Sequence, residues 1–187
     1  MSTLARHVLF ALVLVACKDK APEPAATPAP APAPAPSAAA KAFDGPTFTI
    51  SSTLPGPETK ERPLDTGSGK ATMKLYEFTD PTDEDTAQLV QTTHLAITAA
   101  EEQLAIDNAM TGTTGDLKAT IDDKKMVTVG ATPMLDFTAH FTDQDGTFFL
   151  RGRIAVKTGT LYQILAMGKG TTPSASAQTF VGTFVVK

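Results

Sequence analysis

A chain of 187 residues with 42% hydrophobic content has room for one ordinary domain with a real core. Its formal charge is −4, and from Phe43 onward 12 basic residues face 18 acidic ones, which argues against a nucleic-acid partner, since that would want a basic stripe. The single cysteine, Cys17, excludes an intramolecular disulfide, so burial alone must hold the fold. With no tryptophan and only two tyrosines, ten phenylalanines and the aliphatic residues have to supply that burial.

The N-terminus begins weakly basic, with Arg6, and continues as the unbroken apolar run Val8-Leu9-Phe10-Ala11-Leu12-Val13-Leu14-Val15. Such a run is too short to span a bilayer, which takes roughly 20 residues, but suits the hydrophobic region of a signal peptide over residues 1–16. The next residues, Leu14-Val15-Ala16-Cys17, resemble the lipobox of bacterial lipoproteins at all four positions. The resemblance implies cleavage before Cys17 and a thioether-linked diacylglycerol on it, usually with a third, amide-linked acyl chain. One chain anchors marginally at about 0.8 kcal/mol per buried methylene; two or three anchor durably. Lys18 rather than aspartate follows the cysteine, which in enteric lipoproteins resembles the outer-membrane sorting default. The expected location is therefore the cell envelope, at the outer membrane, facing the periplasm or the cell surface.

Residues 17–42 read as a lipidated cysteine followed by a spacer. Ala21 to Ala40 is almost wholly Ala and Pro, with prolines at 22, 24, 28, 30, 32, 34 and 36. Each proline fixes φ and extends its predecessor, so a semi-rigid spacer reaching on the order of 60 Å is expected at about 3.1 Å per residue. All these prolines are at even positions, which rules out the three-residue spacing of P-x-x-P ligands.

The domain is expected over 43–187. Thr47-Phe48-Thr49-Ile50-Ser51 alternates like a half-buried strand, Leu54 to Gly69 reads as a loop rich in Pro and Gly, and Thr72 to Phe78 as a second strand. Asp80-Pro81 followed by Asp83-Glu84-Asp85 predicts a helix start, with Val90, Ile97 and Leu104 at seven-residue spacing as its buried stripe. Thr111 to Gly115 reads as a turn, and Asp116–Ile121 and Lys125–Val129 as short strands. Leu135–Thr142, Thr147–Lys157 and Thr160–Gly168 predict a three-stranded meander, joined by Asp143-Gln144-Asp145-Gly146 and Thr158-Gly159. Pro173 opens a short amphipathic helix, after which Phe184 joins Phe180 in the core.

The hairpin chemistry predicts a register. Opposing Thr142 with Thr147 pairs Leu135 with Ile154, Phe137 with Gly152, Ala139 with Leu150 and Phe141 with Phe148, which makes one buried face. The second hairpin adds Val156 with Leu161 and Leu150 with Met167. The opposite face collects Asp136 across from Arg153, Thr138 across from Arg151 and His140 across from Phe149, with Tyr162 nearby. That face is expected to be solvated, with one cross-strand ion pair worth about 0.2–1 kcal/mol. Because an acid, two arginines, a histidine and a tyrosine converge there, Asp136, His140, Arg151, Arg153 and Tyr162 form the candidate binding patch.

The element order resembles the PsbP/DcrB-like superfamily. Its carriers are Phe48-Thr49-Ile50, Gly130-Ala131-Thr132-Pro133, Leu161-Tyr162-Gln163-Ile164-Leu165 and Phe180-Val181-Gly182-Thr183-Phe184. The resemblance implies an α+β domain, an α/β/α sandwich on a mainly antiparallel sheet; no functional residue carries over with it.

Catalytic and metal chemistry lack their motifs. Outside the signal the histidines are His94 and His140, and neither Cys-x-x-Cys nor His-x-x-x-His occurs. Asp143-Gln144-Asp145-Gly146 lacks the further ligands of a calcium loop. Gly67-Ser68-Gly69-Lys70 fits neither a nucleophile elbow nor a phosphate loop. The reading is thus a non-catalytic envelope lipoprotein, attached to the membrane through Cys17 and binding an unidentified envelope protein or component, with no cofactor and no metal. The alternative reading is a module for a small ligand or a cation.

Overall fold

The computed structural model describes residues 39–66, 69–80 and 82–187. The signal peptide, Cys17 and nearly all of the spacer lie outside them, as do Gly67, Ser68 and Pro81. The chain folds as β1 (Lys41–Asp44), β2 (Phe48–Ser52), β3 (Glu58–Thr66), β4 (Gly69–Asp80), β5 (Asp83–His94), a 3-10 turn (Ala99–Glu101), α1 (Glu102–Asp116), β6 (Thr120–Val129), β7 (Thr132–Asp143), β8 (Gly146–Lys157), β9 (Thr160–Lys169), α2 (Ala175–Gly182) and β10 (Val185–Val186). The first strand thus takes in Lys41 and Ala42, ahead of the expected start at Phe43.

Seven strands form one sheet in the order β3-β4-β5-β9-β8-β7-β6, each antiparallel to its neighbours. A second sheet, β1-β2-β10, lies with α2 on one face of the first, sharing a core of Phe48, Tyr76, Phe78, Tyr162, Phe180 and Phe184. Helix α1 covers the other face, through Ile106 and Met110 on Phe137, Leu150 and Ile154. The architecture is α+β, with helices on both faces of an antiparallel sheet, and the three-stranded sheet completes the α2 side.

The predicted meander register is the observed one. Leu135 pairs with Ile154, Phe137 with Gly152, Ala139 with Leu150 and Phe141 with Phe148, and across the second hairpin Val156 pairs with Leu161 and Leu150 with Met167. Pairing extends one step further than expected, to Asp143 with Gly146, so Gln144 and Asp145 alone make the turn. Thr158 and Gly159 both take positive φ, 51° and 70°, as a two-residue hairpin turn twisted like its strands requires. Helix α2 begins with Ser174 accepting from the Ala177 N–H at 3.2 Å, one residue after Pro173.

Four local expectations are corrected. The segment after Asp80 is strand β5, not a helix: it lies between β4 and β9, and Val90, Thr92 and Thr93 are buried within the sheet. Its helix-capping signal is spent on a turn, where Asp80 Oδ1 accepts from the Thr82 N–H at 2.8 Å and its hydroxyl at 2.6 Å. The long helix starts instead at Thr98-Ala99-Ala100-Glu101, where the Glu101 carboxylate accepts from the Thr98 N–H at 2.7 Å and its hydroxyl at 2.8 Å. It runs through the expected turn at 111–115, with the hydroxyls of Thr111, Thr113 and Thr114 donating to carbonyls four residues back.

The expected loop at 54–69 contains β3, paired residue for residue with β4 from Glu58 to Thr66. As the outermost strand it tolerates Pro63 and an exposed, charged sequence. The two short strands expected after Asp116 are one strand, β6, interrupted by a bulge between Ile121 and Asp123, while Asp116 closes α1.

Gly152 sits beneath the Phe137 ring, and a Cβ there would also lie 2.9 Å from Leu165 Cδ2. Gly152→Ala is expected to destabilise the domain by about 1–3 kcal/mol through overpacking, read as a lower midpoint in urea denaturation.

Candidate functional site

The five patch residues lie on the α2 side of the sheet, and that face is buried rather than solvated. Asp136 and Arg151 are each 7% exposed. The reason is tertiary: α2 packs over β8 and β9, so the polar row of the meander lies under a helix. Three of the five residues are brought together. Asp136 Oδ2 accepts from Arg151 Nη2 and from Arg153 Nε, both at 2.7 Å. Arg151 Nη1 also donates to the Phe137 and Gly152 carbonyls, and its Nε donates to Gln178 Oε1 of α2. Arg153 Nη1 donates to the Val181 and Gly182 carbonyls at 3.0 and 3.3 Å, where the last turn of α2 leaves acceptors free and its dipole is negative.

The expected surface ion pair is therefore a buried triad that fastens α2 to the sheet. One carboxylate neutralises one guanidinium, and four helix and strand carbonyls accept from the two arginines as well. The other two residues stand apart. Tyr162 is 3% exposed, with its ring 6.0 Å from Phe184 in the aromatic core. His140, half-buried, bonds Asp122 at 2.7 Å near the β6 edge.

A polar network that no sequence motif marks lies between the small sheet, β5 and α2. Ser52 donates to Gln88 Oε1 at 2.8 Å, Gln88 Nε2 donates to the Ser176 hydroxyl at 2.8 Å, and Ser176 bonds Thr53. Nothing in the sequence pairs these positions, because they meet only through the packing of three separate elements. No group of three or more His, Cys, Asp or Glu placed to hold a metal occurs among the described residues.

The opposite side of the sheet is open. Two clefts flank α1. One, of about 820 Å³, lies between α1 and β6 and is lined by Met110, Lys118, Ile121, Lys124, Met126 and Leu135. The other, of about 650 Å³, lies between α1 and strands β3, β5 and β9, with Leu64, Gln91, Thr93, Leu104, Leu161 and Gln163 among its walls. Leu64, Leu104, Ile121 and Met126 are exposed, at 37%, 60%, 39% and 49%. Both clefts lie in the range of small-molecule sites. Their residues had no motif to mark them, since a cleft forms where α1 stops covering the sheet.

Burial by itself pushes the Asp136 carboxyl up, but hydrogen bonds and charge from Arg151 and Arg153 outweigh it and hold the group below its ordinary value. A carboxyl depressed in the folded state stabilises the fold above its unfolded value, about 3.9, and loses that contribution as pH falls through the folded value. Asp136→Asn is expected to cost about 3–5 kcal/mol at neutral pH, by leaving two guanidinium groups buried without their anion. The gap between variant and wild type in urea denaturation should narrow below about pH 4; a gap independent of pH would contradict the ion-pair account.

No family model matches this chain, and no curated protein does. Among solved structures, the solution structure of cyanobacterial PsbP (CyanoP) from Synechocystis is similar with a TM-score of 0.53 at 10% identity, covering 80% of this chain and 94% of that one. A crystal structure from Bacteroides thetaiotaomicron is similar with a TM-score of 0.45 at 13% identity, covering 79% of this chain and 48% of that one. The likeness to CyanoP shows the fold: this chain has an α+β, PsbP-like fold.

Proposed function

We propose that this chain is a lipid-anchored lipoprotein of the bacterial cell envelope, whose PsbP-like domain serves as a non-catalytic binding module on a proline-rich standoff. Anchoring rests on Leu14-Val15-Ala16-Cys17 directly after an apolar run, with no other cysteine in the chain. Its sorting, from Lys18, is to the outer membrane, facing the periplasm or the cell surface.

The observation that carries the binding role is the uneven cover of the sheet. Seven strands at about 4.8 Å spacing span about 29 Å, whereas one helix is about 10 Å across. The α2 side is filled by a helix and a second sheet, and its charged groups are spent on holding them. The α1 side has one helix, two clefts and four exposed apolar side chains at their rims. An envelope protein or component is therefore held on the α1 side. The second reading, a small-ligand module, is favoured by one observation in the cleft next to β5: a buried hydroxyl there lacks a partner.

Cys17→Ser should leave the chain unprocessed or released, without acyl label. Acyl label on the variant, or retention of a processed variant in membranes after a high-salt wash, would overturn the anchor. A photo-crosslinking residue at Met126 or Leu104 of the full chain should give envelope adducts that one at Ala175, exposed on α2, does not. Equal adducts from all three positions would overturn the assignment of the α1 side.

A further inference from the structure

Between α1 and β5 a line of neutral polar groups forms one wall of the cleft. Gln91 Nε2 donates to Gln163 Oε1 at 2.8 Å, Gln163 Nε2 donates to the Thr113 hydroxyl at 3.0 Å, and Thr113 donates to the Ala109 carbonyl at 2.9 Å. The three bonds run in one direction, towards α1, and none of them reaches the neighbouring hydroxyl on β5. That neighbour is Thr93, two residues from Gln91 and on the same face of the strand. Thr93 is 1% exposed and borders the cleft, and its hydroxyl has no hydrogen-bond partner, the single side-chain atom so stranded among the described residues.

A buried hydroxyl without a partner is destabilising, and native folds keep such a group where something else completes it. The surroundings say what kind of group would do so. The Gln91–Gln163–Thr113 wall is uncharged, and the two carboxylates that border the cleft, Glu101 and Asp116, are exposed at opposite ends of the helical segment. Burying an ion beside amides and hydroxyls alone is costly, whereas a neutral donor or acceptor fits. Asn108 on α1 adds one exposed, uncharged amide, and most of the remaining wall is aliphatic, from Leu95, Ile97, Leu104, Ala105 and Leu161.

We propose that this cleft is a binding site for a small uncharged apolar molecule carrying a hydroxyl or amide group, which completes the hydrogen bonding of Thr93. The apolar part of the ligand lies against Leu104, Ala105 and Leu161. The assignment rests on the α1 side being the binding side of the domain, and it names the ligand class for one of the two clefts.

Glycine positions on α1 allow the two clefts to be closed one at a time. A Cβ at Gly112, in the proposed site, or at Gly115, in the cleft next to β6, meets nothing within 4 Å. Leucine at either position also replaces the poorest ordinary helix former with one of the best, so both variants should fold. Membranes bearing the full chain are irradiated with a medium-chain alcohol carrying a diazirine, and the labelled peptides are mapped by mass spectrometry. Label is expected on the segment from Leu95 to Thr113. Gly112→Leu should abolish it and Gly115→Leu should leave it unchanged. The primary amide of equal chain length should compete, and the carboxylic acid should not.

Thr93→Val removes the stranded hydroxyl at nearly constant volume. Its ligand-free melting temperature should hold or rise, while its affinity for the alcohol falls about tenfold. A fall in both would make the hydroxyl merely structural and overturn the proposal, as would labelling insensitive to Gly112→Leu or equal competition by the acid. Absence of any labelling overturns it too; if the Met126 and Leu104 crosslinks then persist, the docking reading stands without the ligand site.

Discussion

The meander strands β7, β8 and β9 are covered on both faces, and much of the structure follows from that constraint. A strand buried on one face can leave its other face to water, but here the second face carries Asp136, Arg151 and Arg153 under α2. Charges in that position must neutralise one another and find hydrogen bonds, because removal from water is costly for each ion. They do so by reaching the end of α2. The same groups that would be inert on a surface therefore decide where a helix sits, and through Phe180 and Phe184 they help close the aromatic core shared with the small sheet.

Double cover on one half of the molecule has a counterpart on the other. Helix α1 is built in part from poor helix formers, Gly112, Thr113, Thr114 and Gly115, and survives because Ile106 and Met110 anchor it on β7 and β8. One helix cannot span the sheet, so the strands on either side of it keep clefts. The outer strands are protected in the usual ways: β3 by charges and Pro63, and β6 by its bulge and the run Asp122-Asp123-Lys124-Lys125. Discouraging edge pairing leaves the clefts beside α1, rather than the sheet edges, as the surface for the proposed partner.

Local signals were legible where they had one outcome. Thr158-Gly159 admits little besides a tight hairpin, and the alternation in Leu135–Phe141 and Phe148–Ile154 fits one register. They misled where the same chemistry serves two ends. Asp80-Pro81-Thr82-Asp83 suits a helix start and a turn alike, and the choice went to the turn because β5 completes a sheet on both sides. The Thr98–Glu101 box was present in the sequence, but the seven-residue spacing of Val90, Ile97 and Leu104 obscured it. In the structure those three residues fall on a strand, the linker and α1.

The α+β class was what the family resemblance implied. By itself, the sequence determined the meander with its pairing, a short closing helix after Pro173, and the single cysteine behind the apolar run. These are short-range properties, fixed by turn geometry, periodicity and composition. Only the tertiary structure decided that the charged row of the meander is interior, that Gln91, Gln163 and Thr113 form one chain, and that Thr93 is left without a partner. Each of these depends on which element lies over which face of the sheet. Periodicity says that a strand has two faces; it cannot say which of them a helix from a distant part of the chain will cover.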